Sequence, residues 1–331
     1  MKLKGAVIGA GNMGKNHVRV LNDLENVELV AIADVNKEVV DKISGKYKIK
    51  GYTDYEEMFG KEELDFVSIV VPTNLHKKVA IHAIGKGLHI LLEKPIASTI
   101  EEGKEIINAA KEKGVKLMIG HIERFNPAIT ELKKRLDNNE LGRIYKVVAN
   151  RICPFPTRIS DVGVVVDLSV HDLDVISSLL NEPLKQIYAI TEKKIHTNHE
   201  DLLCALLKFN GCAAILNIDW LTPTTKRELI VTGEKGMFVV NYMNQELFFY
   251  KNDFVDETYL DYTERVRGIM AGDITQIRIN KGEPLKLELE SFINCLNESC
   301  EPGVKGEDSL KALDIALKMI ESAKEGKVID L

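Results

Sequence analysis

The sequence predicts an α/β chain in two parts: a doubly wound parallel sheet over residues 1–121, then an α/β domain with an open, mainly antiparallel sheet over 122–331. Three observations carry this. Strands and helices alternate from Lys4 to Gly120, the rhythm of parallel strands joined by helical crossovers. Leu88–Leu92 is an apolar run closed off by Gly87 and Pro95, as a strand buried on both faces requires. Beyond Leu141-Gly142 short strands follow one another with few helices between them, which argues for antiparallel neighbours.

The first strand, Lys4–Ile8, runs into Gly9-Ala10-Gly11-Asn12-Met13-Gly14 and then a helix through Val18, Val20 and Leu21. Gly9 permits a tight turn, Gly11 lets the backbone approach a pyrophosphate, and Gly14 lets helix and strand pack closely. A second strand, Val27–Ala33, ends in Asp34, twenty positions beyond Gly14. That is the spacing of a ribose-binding acid, so a Rossmann-type nucleotide site is expected here. A carboxylate at Asp34 accepts from ribose hydroxyls and repels a 2′-phosphate, which favours NAD over NADP.

A strand over Asp65–Val71 ends at Pro72, with Thr73 and Asn74 at its carboxyl end, and a helix follows through Val79, Ala80, Ala83 and Ile84. Thr73 and Asn74 suit either a cofactor crevice or a helix cap. The strand at Leu88–Leu92 delivers Glu93 and Lys94 to the same kind of edge, where open α/β sheets hold their ligands. Pro95 stops that strand. Ser98 or Thr99, followed by Glu101 and Glu102, starts a helix to Gly114, and Val115–Gly120 is the next strand. The cofactor set expected from this half is Gly9, Gly11, Asn12, Met13, Gly14, Asp34, Thr73, Asn74, His76, Glu93 and Lys94, and Lys94 is the expected chemical centre.

Asn126-Pro127 opens a helix, with Asn as cap and Pro in the first turn. The strands expected after it are Tyr145–Ile152, Leu184–Thr191, Leu202–Phe209, Ala213–Trp220, Glu228–Thr232, Phe238–Tyr242 and Leu247–Tyr250, with Asn210-Gly211 as a hairpin turn. Two helices close the chain, near 285–298 and 308–324. One helix, Val164–Leu180, interrupts the strands. Asp167, His171, Asp174 and Ser178 share one narrow stripe of it, because they recur at steps of three and four residues. Most of the remaining circumference is apolar, so the stripe reads either as an edge facing a cleft or as a buried set satisfying itself.

Bulk properties narrow the function. The 331 residues carry a net charge of −6 and are 45% hydrophobic, which gives packed cores and no general attraction to nucleic acid or an anionic membrane. No apolar run approaches the roughly 20 residues that cross a bilayer. Five cysteines form no C-x-x-C pair and no metal-finger spacing. With no signal-like segment at the N-terminus, a cytoplasmic protein with reduced thiols and no metal is expected. A strand-rich second domain with Phe238, Val240, Tyr242, Phe248 and Tyr250 holds more apolar surface than one covering layer hides, so a homodimer or homotetramer through the outer sheet face is expected.

An NAD site with a Lys and an Asp/His pair suits oxidation of an alcohol. The hydroxyl proton must leave as the carbonyl forms, and a base within hydrogen-bond reach takes it. Lys94 and His171 are the candidate bases; Asp167 would orient the imidazole or bind a second hydroxyl. The order of Gly9–Gly14, Asp34, Pro72-Thr73-Asn74, Glu93-Lys94-Pro95 and Asp167-x3-His171 resembles the Gfo/Idh/MocA oxidoreductase family along nearly the whole chain. The resemblance implies an N-terminal Rossmann domain, a C-terminal α/β domain, and NAD(P)-dependent chemistry on sugars, inositols or related compounds. It implies that Lys94, Asp167 and His171 serve at the reacting carbon, where the two domains meet, and that Lys94 precedes a cis-proline.

Gly120–Pro127 and Pro154–Gly163 are similar to segments of family members acting on UDP-N-acetylglucosamine, which implies oxidation of its 3-hydroxyl to a 3-keto sugar nucleotide. Arg124, Arg151 and Arg158 are then candidates for the diphosphate or sugar. Val162-Gly163-Val164-Val165 departs from the glycine-rich stretch of many relatives. A free sugar or inositol substrate, an NAD-dependent glycosidase and a non-catalytic NAD sensor are the other readings.

Overall fold

The computed structural model describes residues 2–156, 162–196, 198–253, 270–298 and 300–331. Its contacts divide the chain into two units, Met1–Phe125 with Glu283–Asp314, and Asn126–Gly282 with Ile315–Leu331.

In the first unit β1 (Leu3–Ile8), β2 (Val27–Ala33), β3 (Lys50–Tyr52), β4 (Phe66–Ile69), β5 (His89–Glu93) and β6 (Leu117–Gly120) form one sheet in the order β3-β2-β1-β4-β5-β6. Every pairing in it is parallel. Parallel strands point their carboxyl ends to one edge, so Gly9, Asp34, Val70 and Glu93 emerge together. The central strands are apolar throughout because both faces are covered: Ile90, Leu91 and Leu92 of β5 are buried.

The intervening helices are α1 (Asn12–Asp23), α2 (Lys37–Tyr47), α3 (Tyr55–Lys61), α4 (His76–Gly85) and α5 (Ile100–Lys113). The α5 start is a reciprocal box. Thr99 Oγ1 accepts from the Glu102 N–H at 3.2 Å, and Glu102 accepts from the Ser98 N–H at 3.3 Å. Gly114 ends the helix at φ +71°, a conformation that favours glycine.

One sequence boundary shifts. The reading above assigns 122–331 to one domain, whereas α8 (Pro284–Glu298) packs in the first unit. Its Leu285, Leu289, Phe292 and Ile293 join Val18 and Leu21 of α1 in one cluster. Phe292 meets Phe66 edge to face, with centroids 5.7 Å apart. An amphipathic helix carries no signal in its own sequence for which of two apolar faces it will cover.

The second unit holds a nine-stranded sheet, ordered β14-β13-β12-β11-β7-β10-β9-β8-β15. Its strands are β7 (Ile144–Pro154), β8 (Leu184–Glu192), β9 (Leu202–Phe209), β10 (Ala213–Asp219), β11 (Leu221–Gly233), β12 (Gly236–Asn241), β13 (Glu246–Asp253), β14 (Met270–Ile277) and β15 (Ile329–Asp330). Only the β7–β10 pairing is parallel; the rest are antiparallel, as expected. The Asn210-Gly211 turn closes with Phe209 N–H donating to the Cys212 carbonyl at 2.8 Å, and Gly211 sits at φ +89°. β14 escapes the sequence reading because it is an edge strand: of residues 272–277, Ile277 alone is buried, so no alternation is written into it.

The sheet's inner face is covered by α6 (Pro127–Asp137) and α7 (Val170–Leu180), which bury Ala128, Ile129, Leu132, Leu173, Val175 and Ile176. Asn126 caps α6 by accepting from the Ala128 N–H at 3.1 Å, and its amide donates to the Tyr242 carbonyl at 3.0 Å. Of the apolar residues named for the assembly, Phe238, Val240 and Tyr242 lie buried on this inner face. The outer face carries a different row. Tyr188, Leu206, Ile215, Val148, Ile230, Val239 and Phe248 are successive cross-strand partners from β8 to β13. Leu206 is 50% exposed and Tyr188 and Ile215 are each 38% exposed. The next row beside it is polar: Asn217, Asn150, Glu228 and Asn241.

Inside the second unit a charged pair is packed where neither partner survives alone. Arg151 is 2% exposed and Asp172 1%. Nε and Nη2 of the guanidinium donate to the two carboxylate oxygens at 2.6 and 3.1 Å, and Cζ lies 5.2 Å from the Tyr242 ring centre. Removing one member strands the other's charge in the core, which typically costs about 3–5 kcal/mol. Arg151→Met is therefore expected to lower the chemical-denaturation midpoint sharply, and Arg151→Met with Asp172→Leu to recover most of the loss. Equal midpoints for the single and double variants would show that the pair is not coupled.

Candidate active site

The nucleotide end is built from three strand ends. A Cβ on Gly9, which has φ +99°, would collide with the Val70 carbonyl, and one on Gly14 would collide with the Gly9 carbonyl. Both positions are thus closed to side chains. A Cβ on Gly11 would meet nothing within 4 Å, so this backbone faces open space. Gly11 is the N-cap of α1 and no side chain caps that helix start. Uncapped N–H groups over an open approach suit an anion. Asn12 and Met13 are exposed in the first turn.

Asp34 completes the cradle. One carboxylate oxygen accepts from the Ala10 N–H at 2.6 Å and the other from the Asn36 N–H at 2.8 Å. The carboxylate is locked to the glycine loop with acceptor capacity left on each oxygen. These residues fit a dinucleotide: the loop for its diphosphate and Asp34 for a ribose diol. Thr73 and Asn74 lie in a short 3₁₀ turn, Thr73–Leu75, at the same edge; Thr73 is half-buried and Asn74 exposed.

Two of the expected cofactor contacts have partners within the protein. His76 is 1% exposed, and its Nδ1 and Nε2 stand 2.9 and 3.0 Å from the carbonyls of Pro95 and Val71. Burial pushes its pKa below the ordinary value, against the pull of those carbonyls and of the Glu93 charge. Glu93 accepts from His17 Nε2 at 3.1 Å and from the Lys94 N–H at 3.2 Å. Burial alone would raise the Glu93 carboxyl, but the His17 hydrogen bond and the nearby charges of His17 and Lys94 hold it below the usual range. Both residues therefore serve the fold of the strand end. Neither role was legible, because His17 lies 76 positions from Glu93 and Pro95 lies 19 from His76. Lys94 follows at the edge, and the Lys94–Pro95 bond is cis.

In the second unit, Asp167 lies in a π-helical turn, Val165–Ser169, and His171 in the first turn of α7. Such widened turns recur at functional sites. Here Ser169 Oγ donates back to the Val165 carbonyl at 2.5 Å, and Asp167 N–H donates to the Gly163 carbonyl at 3.0 Å. Asp167, His171 and Ser178 are half-buried, but Asp174 is 1% exposed and leaves the expected stripe for the interior. The widened turn shifts Asp167 in phase against His171, Asp174 and Ser178, which all lie in the regular helix after it. Asp172, an unexplained polar residue on the apolar side, is the partner of Arg151.

The arginine candidates divide. Arg151 is spent on Asp172 in the core, so its guanidinium is not offered to a diphosphate. Arg124, largely buried, stands 3.5 Å from Asp308. Arg158 lies outside the described residues. Among the described residues no cluster of three or more His, Cys, Asp or Glu is placed to hold a metal ion, and no helix is long and apolar enough to cross a membrane.

Residues 3–121 match the oxidoreductase family's NAD-binding Rossmann fold, and residues 133–331 match its C-terminal α/β domain. The chain belongs to the Gfo/Idh/MocA oxidoreductase family. It is 27% identical over 295 residues to a UDP-N-acetylglucosamine 3-dehydrogenase of Acidithiobacillus ferrooxidans, covering 89% of this chain and 88% of that one. A solved structure of that enzyme superposes with a TM-score of 0.85, at 25% identity, covering 98% of this chain and 99% of that one. A scyllo-inositol 2-dehydrogenase (NAD(+)) of Bacillus subtilis is 25% identical over 344 residues, covering 100% of this chain and 96% of that one. A Bordetella pertussis dehydrogenase solved with NADH and UDP-GlcNAcA shares the fold, with a TM-score of 0.83 at 24% identity, covering 100% of this chain and 99% of that one. The first unit is thus the NAD-binding Rossmann domain of an oxidoreductase.

The position of Asp34 generates a test. A fixed carboxylate at the ribose repels a 2′-phosphate, so NAD should bind more tightly than NADP in fluorescence titrations, and Asp34→Ala should narrow the gap. Equal affinities in the unaltered protein would remove Asp34 from the specificity argument.

Proposed function

We propose that this protein is an NAD-dependent dehydrogenase of a sugar hydroxyl, and that its substrate is UDP-N-acetylglucosamine, oxidised at the 3-position to a 3-keto sugar nucleotide. The observation that carries this reading is the shared edge of the parallel sheet. It sets Lys94 on the same side as the glycine loop and Asp34. The 27% identity to a UDP-N-acetylglucosamine 3-dehydrogenase over 89% of the chain supports the substrate. The scyllo-inositol 2-dehydrogenase similarity over the whole chain favours an inositol as the second reading.

Bound NAD⁺ supplies the hydride acceptor. Lys94 and His171 share removal of the hydroxyl proton, a task that needs a base within hydrogen-bond reach of the reacting oxygen. Asp167, four residues before His171, supports the imidazole or takes a neighbouring sugar hydroxyl. Thr73 and Asn74 line the nicotinamide side of the crevice, and Arg124 is a candidate for the diphosphate.

Loss of general acid–base catalysis typically costs about 10²–10⁴-fold. Lys94→Met, which keeps the apolar stem, should lower kcat by that order with UDP-N-acetylglucosamine while NAD binding changes little. His171→Asn should lower kcat less if Lys94 is the principal base. Production of NADH from scyllo-inositol but not from UDP-N-acetylglucosamine would move the assignment to the second reading. Near-normal rates in both variants would place the chemistry elsewhere.

We also propose that a second copy of this chain covers the outer sheet face. A row of seven apolar residues crossing seven strands, with a polar row beside it, presents a face that two copies can share about a two-fold axis. Light scattering should give a dimer or tetramer at micromolar concentration, and Leu206→Glu with Ile215→Lys should return the 37.1 kDa monomer. A monomeric unaltered protein would refute the assembly.

A further inference from the structure

Lys94 is bracketed by two buried histidines that no part of the proposed chemistry uses. On its amino side, His17 of α1 is 0% exposed and is engaged at both ring nitrogens, with Nδ1 2.8 Å from Ser68 Oγ and Nε2 3.1 Å from Glu93 Oε1. Glu93 is held as the carboxylate and only accepts, so His17 Nε2 donates to it, and Nδ1 shares a hydrogen bond with the Ser68 hydroxyl. The other Glu93 oxygen accepts from the backbone N–H of Lys94 itself. On the carboxyl side, His76 of α4 reaches the Pro95 carbonyl through Nδ1 at 2.9 Å. A carbonyl oxygen only accepts, so His76 donates to one of its two carbonyls when neutral and to both when protonated. The second ring nitrogen stands at the Val71 carbonyl, at the end of the neighbouring strand.

Each neighbour of Lys94 therefore meets a histidine from a different helix at the sheet's carboxyl edge: Glu93 bonds His17, which also meets Ser68 of β4, and His76 stands between the carbonyls of Pro95 and Val71. We propose that His17 and His76 are positioning residues that together fix the backbone of Lys94, so that its amine is held in place before any nucleotide or substrate arrives. This deepens the proposed function, since it rests on Lys94 acting on the substrate. The physical reason for two ties is that the strand ladder stops at Glu93, and a chain leaving a strand at a proline has no ladder bonds to fix its course. Groups that orient a reacting side chain typically matter by about 10–100-fold when removed.

The test separates holding from chemistry. Hydrogen exchange read by mass spectrometry needs no substrate. In His17→Leu and in His76→Leu the peptide spanning residues 93–98 should exchange about 10-fold faster, while peptides from β1 and β2 and the affinity for NAD stay within about twofold. With UDP-N-acetylglucosamine, kcat should fall about 10–100-fold with KM for NAD unchanged. His17→Gln and His76→Gln, whose amides keep a donor, should recover part of both effects and stand in for the leucine variants if those fail to fold. Unchanged exchange at 93–98 overturns the proposal. Loosening spread evenly over the Rossmann sheet, with NAD affinity lost, also overturns it, because the histidines would then be ordinary core residues. If Lys94→Met turned over normally, the role of Lys94 would fall, while the exchange result would still decide whether the two histidines hold it.

Discussion

A carboxylate at the end of a buried strand has to be answered, and in the Rossmann unit much follows from that. Glu93 closes β5 directly after Ile90, Leu91 and Leu92, which are buried. An unpaired buried charge is too costly to keep, so α1 supplies His17 and β4 supplies Ser68 behind it. This requirement fixes which residue of α1 faces the sheet, and with it the rotation of the helix whose first turn follows Gly11. The nucleotide cradle and the end of β5 are thus set by one network. The glycines at 9 and 14 make the same point sterically, since a methyl group at either position would enter a backbone carbonyl.

The second unit answers its own buried charge in a different way. Arg151 from β7 and Asp172 from α7 form a buried two-bond pair over Tyr242. Such a pair contributes less to stability than to register. It ties one rotation of α7 to one strand, and that rotation decides which flank of the helix carries His171. The π turn just before it widens the helix at Asp167. Asp167 and His171 are half-exposed while Asp174, three residues on, is buried.

What the sequence determined by itself was the set of features written at short range. Alternation of apolar strands and helices, the glycine spacing, Asp34 at the end of β2, the Thr99 and Asn126 caps and the Asn210-Gly211 turn each depend on residues within a few positions of one another, so local pattern suffices. Tertiary structure decided the partners. His17 finds Glu93 across 76 positions and Arg151 finds Asp172 across 21, separations at which no spacing rule operates. For that reason His76 looked like a cofactor contact and Arg151 like a phosphate ligand until burial showed their polar atoms turned inward. The same holds for α8, whose apolar stripe announces a helix but not which sheet it covers, and for β14, whose exposed edge carries no alternation. Local sequence fixes what a segment can be; only packing chooses which buried group a polar side chain must satisfy, because that choice is made by whatever else has been excluded from water beside it.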